Sequence, residues 1–196
     1  MRRYTEKTIR YYNRIANNYF RSNAAIVIKE KIDLFISFLS GKRILDVACG
    51  PGHDVNYLTR KGFNCLGIDL SRKMINIARQ NFKGKFKIMN FFNLNFKANS
   101  FDGLWCSSVF VHVAKRDLTP LLKNFKKILR NNGILGIITV KKQKIKRENG
   151  DARKYVMYRK KEFENYLMKN GYKILLSEVF IYGEKERLFI ISQNKK

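Results

Sequence analysis

The residues of this chain best suited to chemistry surround two glycines, Gly50 and Gly52, in the segment Asp46–Gly52 (DVACGPG). Glycine lets a loop turn sharply and approach a ligand closely, because it has no side chain. Asp69 follows 17 residues after Gly52, and a carboxylate at such a place in doubly wound folds accepts hydrogen bonds from a ribose diol. Val55 stands where the dinucleotide fingerprint has a third small residue, which argues against a nicotinamide dinucleotide. The spacing therefore predicts a site for a nucleoside with free ribose hydroxyls.

A strand, a loop and a helix must hold these residues. Short apolar runs that predict strands alternate with helical periodicity, which is typical of a parallel sheet covered on both faces. The predicted strands are Arg43–Ala48, Phe63–Leu70, Phe86–Asn90, Phe101–Ser107, Gly133–Lys141, Lys173–Ile181 and Arg187–Gln193. A short turn joins the last two strands, so they must be antiparallel. We predict an α/β fold of three layers, with a doubly wound, mostly parallel sheet of seven strands that ends in an antiparallel hairpin.

Helical periodicity divides the chain in two. Two helical stretches open it and end near Gly41, which predicts an N-terminal helical cap over residues 1–41 and one main domain over residues 42–196. Within the main domain, Ser71 is the predicted N-cap of a helix. Further helices are expected over residues 54–61, Asp117–Arg130 and Lys160–Lys169.

The composition excludes several classes of protein. The 196 residues are 45% hydrophobic, which excludes a disordered chain, although 41 Lys and Arg against 15 Asp and Glu give a formal net charge of +26. No apolar run is long enough to span a membrane and no secretory leader is visible, so a cytoplasmic protein is expected. Three cysteines without a CxxC pair and two histidines argue against a disulfide scaffold and a metal site.

Four segments resemble the successive motifs of the class I S-adenosylmethionine-dependent methyltransferases. In order they are ILDVACGPG, GIDLSRKMI, FDGLWCSSVFVHV and LRNNGILGIITV. The resemblance runs from about Lys42 to the end of the sequence. It is finer with the small enzymes of methyltransferase type 11/25 and of the tellurite-resistance type, which tend to have segments similar to Trp105–Val113 and Arg153–Tyr158.

The resemblance implies S-adenosylmethionine as the cofactor and assigns residues to each part of it. Its methionine part would lie against Asp46, Ala48, Cys49, Gly50, Gly52, Cys106 and Ser107. Its adenosine part would lie against Asp69 at the ribose and Leu70, Asn90 and Phe91 at the adenine. Two residues depart from the family pattern: Ala48 replaces a glycine, and Asn90 replaces an aspartate, whose accepting role its amide oxygen can take.

The reaction that the resemblance implies is in-line displacement of a methyl group, for which positioning matters most. His112 is the best candidate for a general base where the acceptor must lose a proton, and capping or packing beside Trp105 are its alternatives. His53 is expected at a helix start near the cofactor. Cys106 could be a covalent nucleophile, as in enzymes that methylate pyrimidine carbons, but a small buried residue is the favoured interpretation.

Residues that border the acceptor are expected in two places. Arg153, Tyr155 and Tyr158 lie on a segment that borders the acceptor pocket in this superfamily, with a solvated loop as the alternative. Near the N-terminus, Tyr12 and Tyr19 have helical spacing, which favours a place in the core before a role in covering the site.

Three functions stay open at this point. The first is an enzyme that methylates a small molecule. The second is a methyltransferase of RNA such as tRNA, which the charge and the basic run at residues 141–147 favour, although a genome biased towards A and T also produces such a composition. The third is a non-catalytic partner subunit that binds the cofactor. A monomer or a homodimer is expected, since an exposed edge strand near the C-terminus permits pairing.

Overall fold

The computed structural model describes residues 3–22, 28–142 and 155–195. The helices there are α1 (Arg3–Arg21), α2 (Lys29–Ser37), α3 (His53–Arg60), α4 (Arg72–Asn81), α5 (Lys115–Ile128) and α6 (Lys160–Lys169). The strands are β1 (Arg43–Val47), β2 (Asn64–Asp69), β3 (Lys85–Ile88), β4 (Phe101–Ser107), β5 (Leu129–Val140), β6 (Tyr172–Tyr182) and β7 (Lys185–Asn194). Across those ranges, no helix has the length and apolar character needed to cross a membrane.

The sheet confirms the predicted α/β fold. Its strand order is β3-β2-β1-β4-β5-β7-β6; β1 to β5 run parallel, and β7 is antiparallel to both of its neighbours. The chain moves outward from β1 to β3 and then returns to place β4 on the other side of β1. This reversal opens a crevice at the carboxyl ends of β1 and β4, where ligands bind in open α/β sheets.

Helices cover both faces of the sheet, because successive side chains of a buried strand point in opposite directions. In β1, Leu45 belongs to the core cluster that includes α5 and α6, whereas Ile44 belongs to the cluster that includes α2, α3 and α4. Phe35 of α2 is fully buried, and its ring centroid lies 5.1 Å from that of Trp105. Helix α2 therefore packs on the sheet itself, and the predicted division at residues 41 and 42 stays a prediction.

Most predicted bounds differ from the structure by one or two residues, and the start of β5 differs by four. Ser71 caps α4 as predicted, since its Oγ accepts a hydrogen bond from the Met74 backbone N–H at 3.2 Å. However, helix α5 ends at Ile128, and β5 begins at Leu129 rather than at Gly133. The reason is a bulge: Leu129 pairs with Phe101, and the register shifts before Gly103 pairs with Ile134.

Candidate active site

The loop between β1 and α3 turns at two glycines, which differ in the space around them. Gly50 and Gly52 adopt φ angles of 54° and 90°, and Gly52 is the N-cap of α3. A Cβ added to Gly52 would lie 2.7 Å from the Phe86 ring and 2.9 Å from the Ala78 side chain. By contrast, a Cβ on Gly50 would meet only Tyr19, at 4.0 Å. Gly52 thus packs the loop against its neighbours, while Gly50 faces open space.

Asp69, at the end of β2, fixes the loop from the other side. One carboxylate oxygen accepts a hydrogen bond from the Gly50 N–H at 3.0 Å, and the other accepts one from the Ser71 N–H at 2.7 Å. Burial raises the pKa of Asp69, and hydrogen bonds from the backbone of Ser71, Gly50 and Leu70 oppose this shift. A carboxylate has about four lone-pair sites, so Asp69 keeps the capacity to accept a further bond beside these three.

Two more carboxylates lie beside the loop. Asp46 is 2% exposed, and its Oδ2 has no hydrogen-bond partner in the part of the chain that the structure describes. Burial raises the pKa of Asp46 well above its ordinary value, and the charges of Asp54 and Asp69 add to the effect. Burial also raises the pKa of Asp54 to about 6, although its carboxylate accepts a 2.7 Å hydrogen bond from Trp105 Nε1. Such a group of carboxylates is stabilised by a cation.

These groups open on a cavity of about 500 Å³. Its walls are the loop after β1, the start of α3, the residues that follow β4, one face of α1 and the β6–β7 hairpin. Eight of the residues that the sequence predicted for the site line it: Asp46, Ala48, Cys49, Gly50, Ser107, Tyr12, Tyr19 and Tyr155. His53 also lines it, as the first residue of α3.

Helix α1 brings tyrosines to His112. The Tyr12 hydroxyl lies 3.0 Å from His112 Nε2, and the centroids of the two rings are 5.6 Å apart. Tyr19 packs edge-on against Tyr12, with centroids 5.8 Å apart, and the Tyr155 ring lies 5.9 Å from that of His112. Because Tyr12, Tyr19 and Tyr155 line the cavity, His112 stands directly behind its aromatic wall.

Helix α1 is anchored to α4. Ala16 is buried with Met74 and Ile77, and the Asn13 side-chain oxygen accepts a 2.7 Å hydrogen bond from the Ser71 hydroxyl. Helix α1 therefore closes this side of the cavity. Its contact with the Ser71 hydroxyl links it to Asp69, which accepts a hydrogen bond from the Ser71 N–H.

Two of the predicted site residues lie in the core rather than at the cavity. Tyr158 does not border the cavity: it is fully buried in the core, where its hydroxyl donates a 3.1 Å hydrogen bond to the Val113 carbonyl. The Cys106 side chain does not approach the cavity either, because it points into the core and is 0% exposed. Burial and the charge of Asp46 raise the pKa of the Cys106 thiol, which disfavours the thiolate that a nucleophile needs and agrees with the favoured interpretation of Cys106 as a small buried residue. Ser107 and Ser108 line the cavity in its place.

The other predicted residues lie outside the cavity wall. Gly52 is buried behind the loop. Asp69 stands behind Gly50, and Leu70 and Phe91 are partly buried. The Asn90 side-chain oxygen accepts a 3.0 Å hydrogen bond from the Phe92 N–H. Arg153 and most of the basic run at 141–147 lie outside the described residues, whereas Lys141 pairs with Glu186 at 2.9 Å.

The sequence reasoning missed one wall of the cavity. Tyr182, Lys185 and Arg187 of the terminal hairpin line it together with Ser108. Arg187 opens the apolar run RLFII of β7, and a cation at the start of a buried strand was the one pattern that could have indicated this wall. In the described residues, no cluster of His, Cys, Asp and Glu side chains is arranged to hold a metal ion.

Comparisons with known proteins agree with this geometry. The sequence profile of a family described as a methyltransferase domain (type 25) matches residues 44–133. Methyltransferase GfsG of Streptomyces halstedii is 28% identical over 52% of this chain and 38% of its own length. Phosphoethanolamine N-methyltransferase 1 of Zea mays is 26% identical over 90% of this chain and 33% of its own length. This chain thus spans well under half of either relative.

Solved structures share the fold. The 1,6-didemethyltoxoflavin-N1-methyltransferase of Burkholderia thailandensis, solved with 1,6-didemethyltoxoflavin and S-adenosylhomocysteine, superimposes with a TM-score of 0.81 at 16% identity, over 98% of this chain and 89% of that one. The strand order, the glycine loop with its acidic partner and the match to the methyltransferase-domain profile agree with one another. Residues 44–133 thus match the methyltransferase-domain profile, and the fold of the chain is that of S-adenosylmethionine-dependent methyltransferases of known structure.

Proposed function

We propose that this chain transfers the methyl group of S-adenosylmethionine to a small-molecule acceptor by in-line displacement. The observation that carries the proposal is the cavity of about 500 Å³, which joins the carboxylates of the loop to a wall of tyrosines. The match of residues 44–133 to the methyltransferase-domain profile supports methyl transfer as the reaction, and the cavity supports a small acceptor.

The residues present fit the cofactor. S-Adenosylmethionine supplies a methyl group that its sulfonium already activates. Its methionine part is cationic at both the sulfonium and the amino group, and the unpartnered Oδ2 of Asp46 lies in the cavity wall beside the loop. Asp69 retains lone pairs for a ribose diol, and Gly50 leaves open space at the loop surface. Asp46, Gly50 and Ser107 would hold the methionine part, and Asp69 the ribose.

The chain itself contributes alignment and exclusion of water. Holding two reactants in line contributes about 7–11 kcal/mol to a lower barrier, and the α1 tyrosines close the cavity over the loop. His112 accepts a proton from an acceptor that must lose one through the Tyr12 hydroxyl, which lines the cavity and lies 3.0 Å from His112 Nε2. Such a base contributes about 10²–10⁴-fold to the rate.

The volume of the cavity favours a small acceptor. Pockets for small molecules measure roughly 300–1,000 Å³, and this cavity lies within that range although part of it must hold the cofactor. Two of the proteins similar to this chain are named for small acceptors, phosphoethanolamine and 1,6-didemethyltoxoflavin. Their names support the class of acceptor and leave its identity open.

RNA is a second candidate acceptor, which the net charge of +26 favours. Binding that depends on phosphate contacts weakens steeply with salt. An RNA methyltransferase would therefore bind generic tRNA with an affinity that falls steeply as salt rises and that is still measurable near 0.15 M, about physiological ionic strength. Negligible binding of tRNA at that salt concentration would argue against RNA as the acceptor and favour a small molecule.

The experiment is incubation of the purified protein with methyl-labelled S-adenosylmethionine and cell extract that has been separated into metabolites, RNA and protein. We expect label in the metabolite fraction. Gly50→Ala should lower the transfer strongly, because its Cβ would occupy the open space at the loop surface that the methionine part of the cofactor would take. Gly62→Ala is the matched control: Gly62 also has a positive φ, 85°, and its added Cβ meets nothing within 4 Å. Label in RNA, or equal transfer by Gly50→Ala, would refute the proposal.

A further inference from the structure

The wall of the cavity that the terminal hairpin forms is basic. Arg187 and Lys185 of β7 line it with Tyr182 and Ser108. Arg187 pairs with Val140 in the sheet, so its side chain lies at the carboxyl end of β5. Its Nη1 donates a hydrogen bond to Ser108 Oγ at 3.4 Å, and its guanidinium lies 5.4 Å from the centroid of the Tyr182 ring. The cavity thus has carboxylates at one end and a guanidinium at another.

The charge of Arg187 has no counter-ion among the residues that the structure describes. Its Nε is buried without a hydrogen-bond partner, and burial lowers the pKa of Arg187 without removing its charge. The guanidiniums of Arg43 and Arg130 differ in this respect, because both pair with Asp102 at 3.1 Å. A partly buried guanidinium that has no carboxylate partner carries a desolvation cost, so an anion that enters the cavity would complete the site.

Backbone strain marks the same wall. Ser108 adopts a φ of 63°, a conformation that side-chain-bearing residues rarely adopt. A 2.7 Å hydrogen bond from its N–H to the Ile138 carbonyl holds it there. This conformation keeps the Ser108 hydroxyl within reach of Arg187, and strain of this kind is concentrated at ligand sites.

We propose that Arg187, with Ser108 and Lys185, binds an anionic group of the methyl acceptor, a carboxylate or a phosphate. The proposal rests on the proposed function and adds the class of acceptor. The acceptor is a small acid whose anionic group binds at the wall that the β6–β7 hairpin forms. Arg187 offers a planar fork of N–H donors that matches either anion. The loop carboxylates at the other end repel the same anion, so the wall also sets the orientation of the acceptor.

The test separates labelled metabolites on an anion-exchange resin. Label should appear in the retained fraction. In a parallel sample, the metabolites are treated with phosphatase before the methylation assay, which distinguishes phosphates from carboxylates. Arg187→Met, which keeps most of the side-chain length, should lower labelling by at least about tenfold. Arg116→Met is the matched control: Arg116 is exposed on α5, and its loss changes the net charge equally. Label in the unretained fraction, or equal labelling by Arg187→Met, overturns the proposal.

Two measurements without cofactor separate this proposal from the proposed function. Arg187→Met should melt no lower than wild type, because the charge that it removes is partly buried and has no carboxylate partner in the described residues; a lower melting temperature would indicate a structural role and overturn the proposal. Inorganic phosphate or acetate should raise the melting temperature of wild type and Arg116→Met by binding the folded state, and that of Arg187→Met much less. Equal shifts in all three proteins overturn the anion site, even where methyl transfer is observed. An Arg187-dependent shift with no labelled fraction supports the anion site and refutes methyl transfer.

Discussion

Gly52→Ala tests whether the loop is positioned by close packing. Both Gly52 and Gly62 have φ angles that disfavour a side chain, 90° and 85°, so each substitution to alanine costs about 1–2 kcal/mol through the backbone. At Gly62 the added Cβ meets nothing within 4 Å, whereas at Gly52 it would lie 2.7 Å from the Phe86 ring and 2.9 Å from Ala78. Overpacking of a core adds about 1–3 kcal/mol. Gly52→Ala should therefore lose about 2–5 kcal/mol, and Gly62→Ala about 1–2 kcal/mol.

The assay is urea unfolding followed by tryptophan fluorescence. Trp105 is the single tryptophan and is 1% exposed, so its emission reports the loss of the core. The two variants should share the slope of the wild-type transition and differ in midpoint, because the surface exposed on unfolding is unchanged. Equal midpoints for Gly52→Ala and Gly62→Ala would show that Phe86 and Ala78 do not confine the loop, and the account of its rigidity would fail.

Other predictions concern acids and aromatic residues. The raised pKa of Asp54, about 6, means that the folded state binds more protons than the unfolded state between about pH 4 and pH 6. The free energy of unfolding should thus fall as pH rises through this window, and fall less in Asp54→Asn, as urea midpoints will show. Tyr158→Phe should lose about 1 kcal/mol of stability, since it breaks a buried hydrogen bond, and keep kcat/KM, whereas Tyr155→Phe should raise KM. His112→Gln should lower kcat about 10²–10⁴-fold and flatten its pH profile where the acceptor loses a proton.

Much of the fold could be predicted, because the sheet is buried on both faces. Each parallel strand then appears as a continuous apolar run, such as Phe101–Ser107, whose predicted and observed bounds agree. The start of β5 was missed because Asn131-Asn132-Gly133 resembles a turn. In the structure Asn132 adopts a φ of 60° within a bulged strand, so the irregularity interrupts the pairing without ending it.

The site was predictable where it depends on local sequence, and not where distant elements meet. The glycine loop and Asp69 are joined by backbone hydrogen bonds over a short separation. Tyr155 and Tyr158 belong to one motif, yet Tyr158 is buried because its hydroxyl reaches the Val113 carbonyl, 45 residues earlier. Arg187 enters the cavity because β7 is inserted between β5 and β6, an order that no local pattern specifies.

Titration calorimetry with S-adenosylmethionine measures whether the crevice at the ends of β1 and β4 binds the methyl donor. Wild type should bind one equivalent of S-adenosylmethionine and show no comparable heat with NAD. Asp69→Asn should bind the same compound at least about tenfold more weakly, because an amide presents one accepting oxygen in place of two. A flat titration with S-adenosylmethionine, or affinity for NAD that Asp69→Asn leaves undiminished, would contradict the assignment of this crevice to the methyl donor.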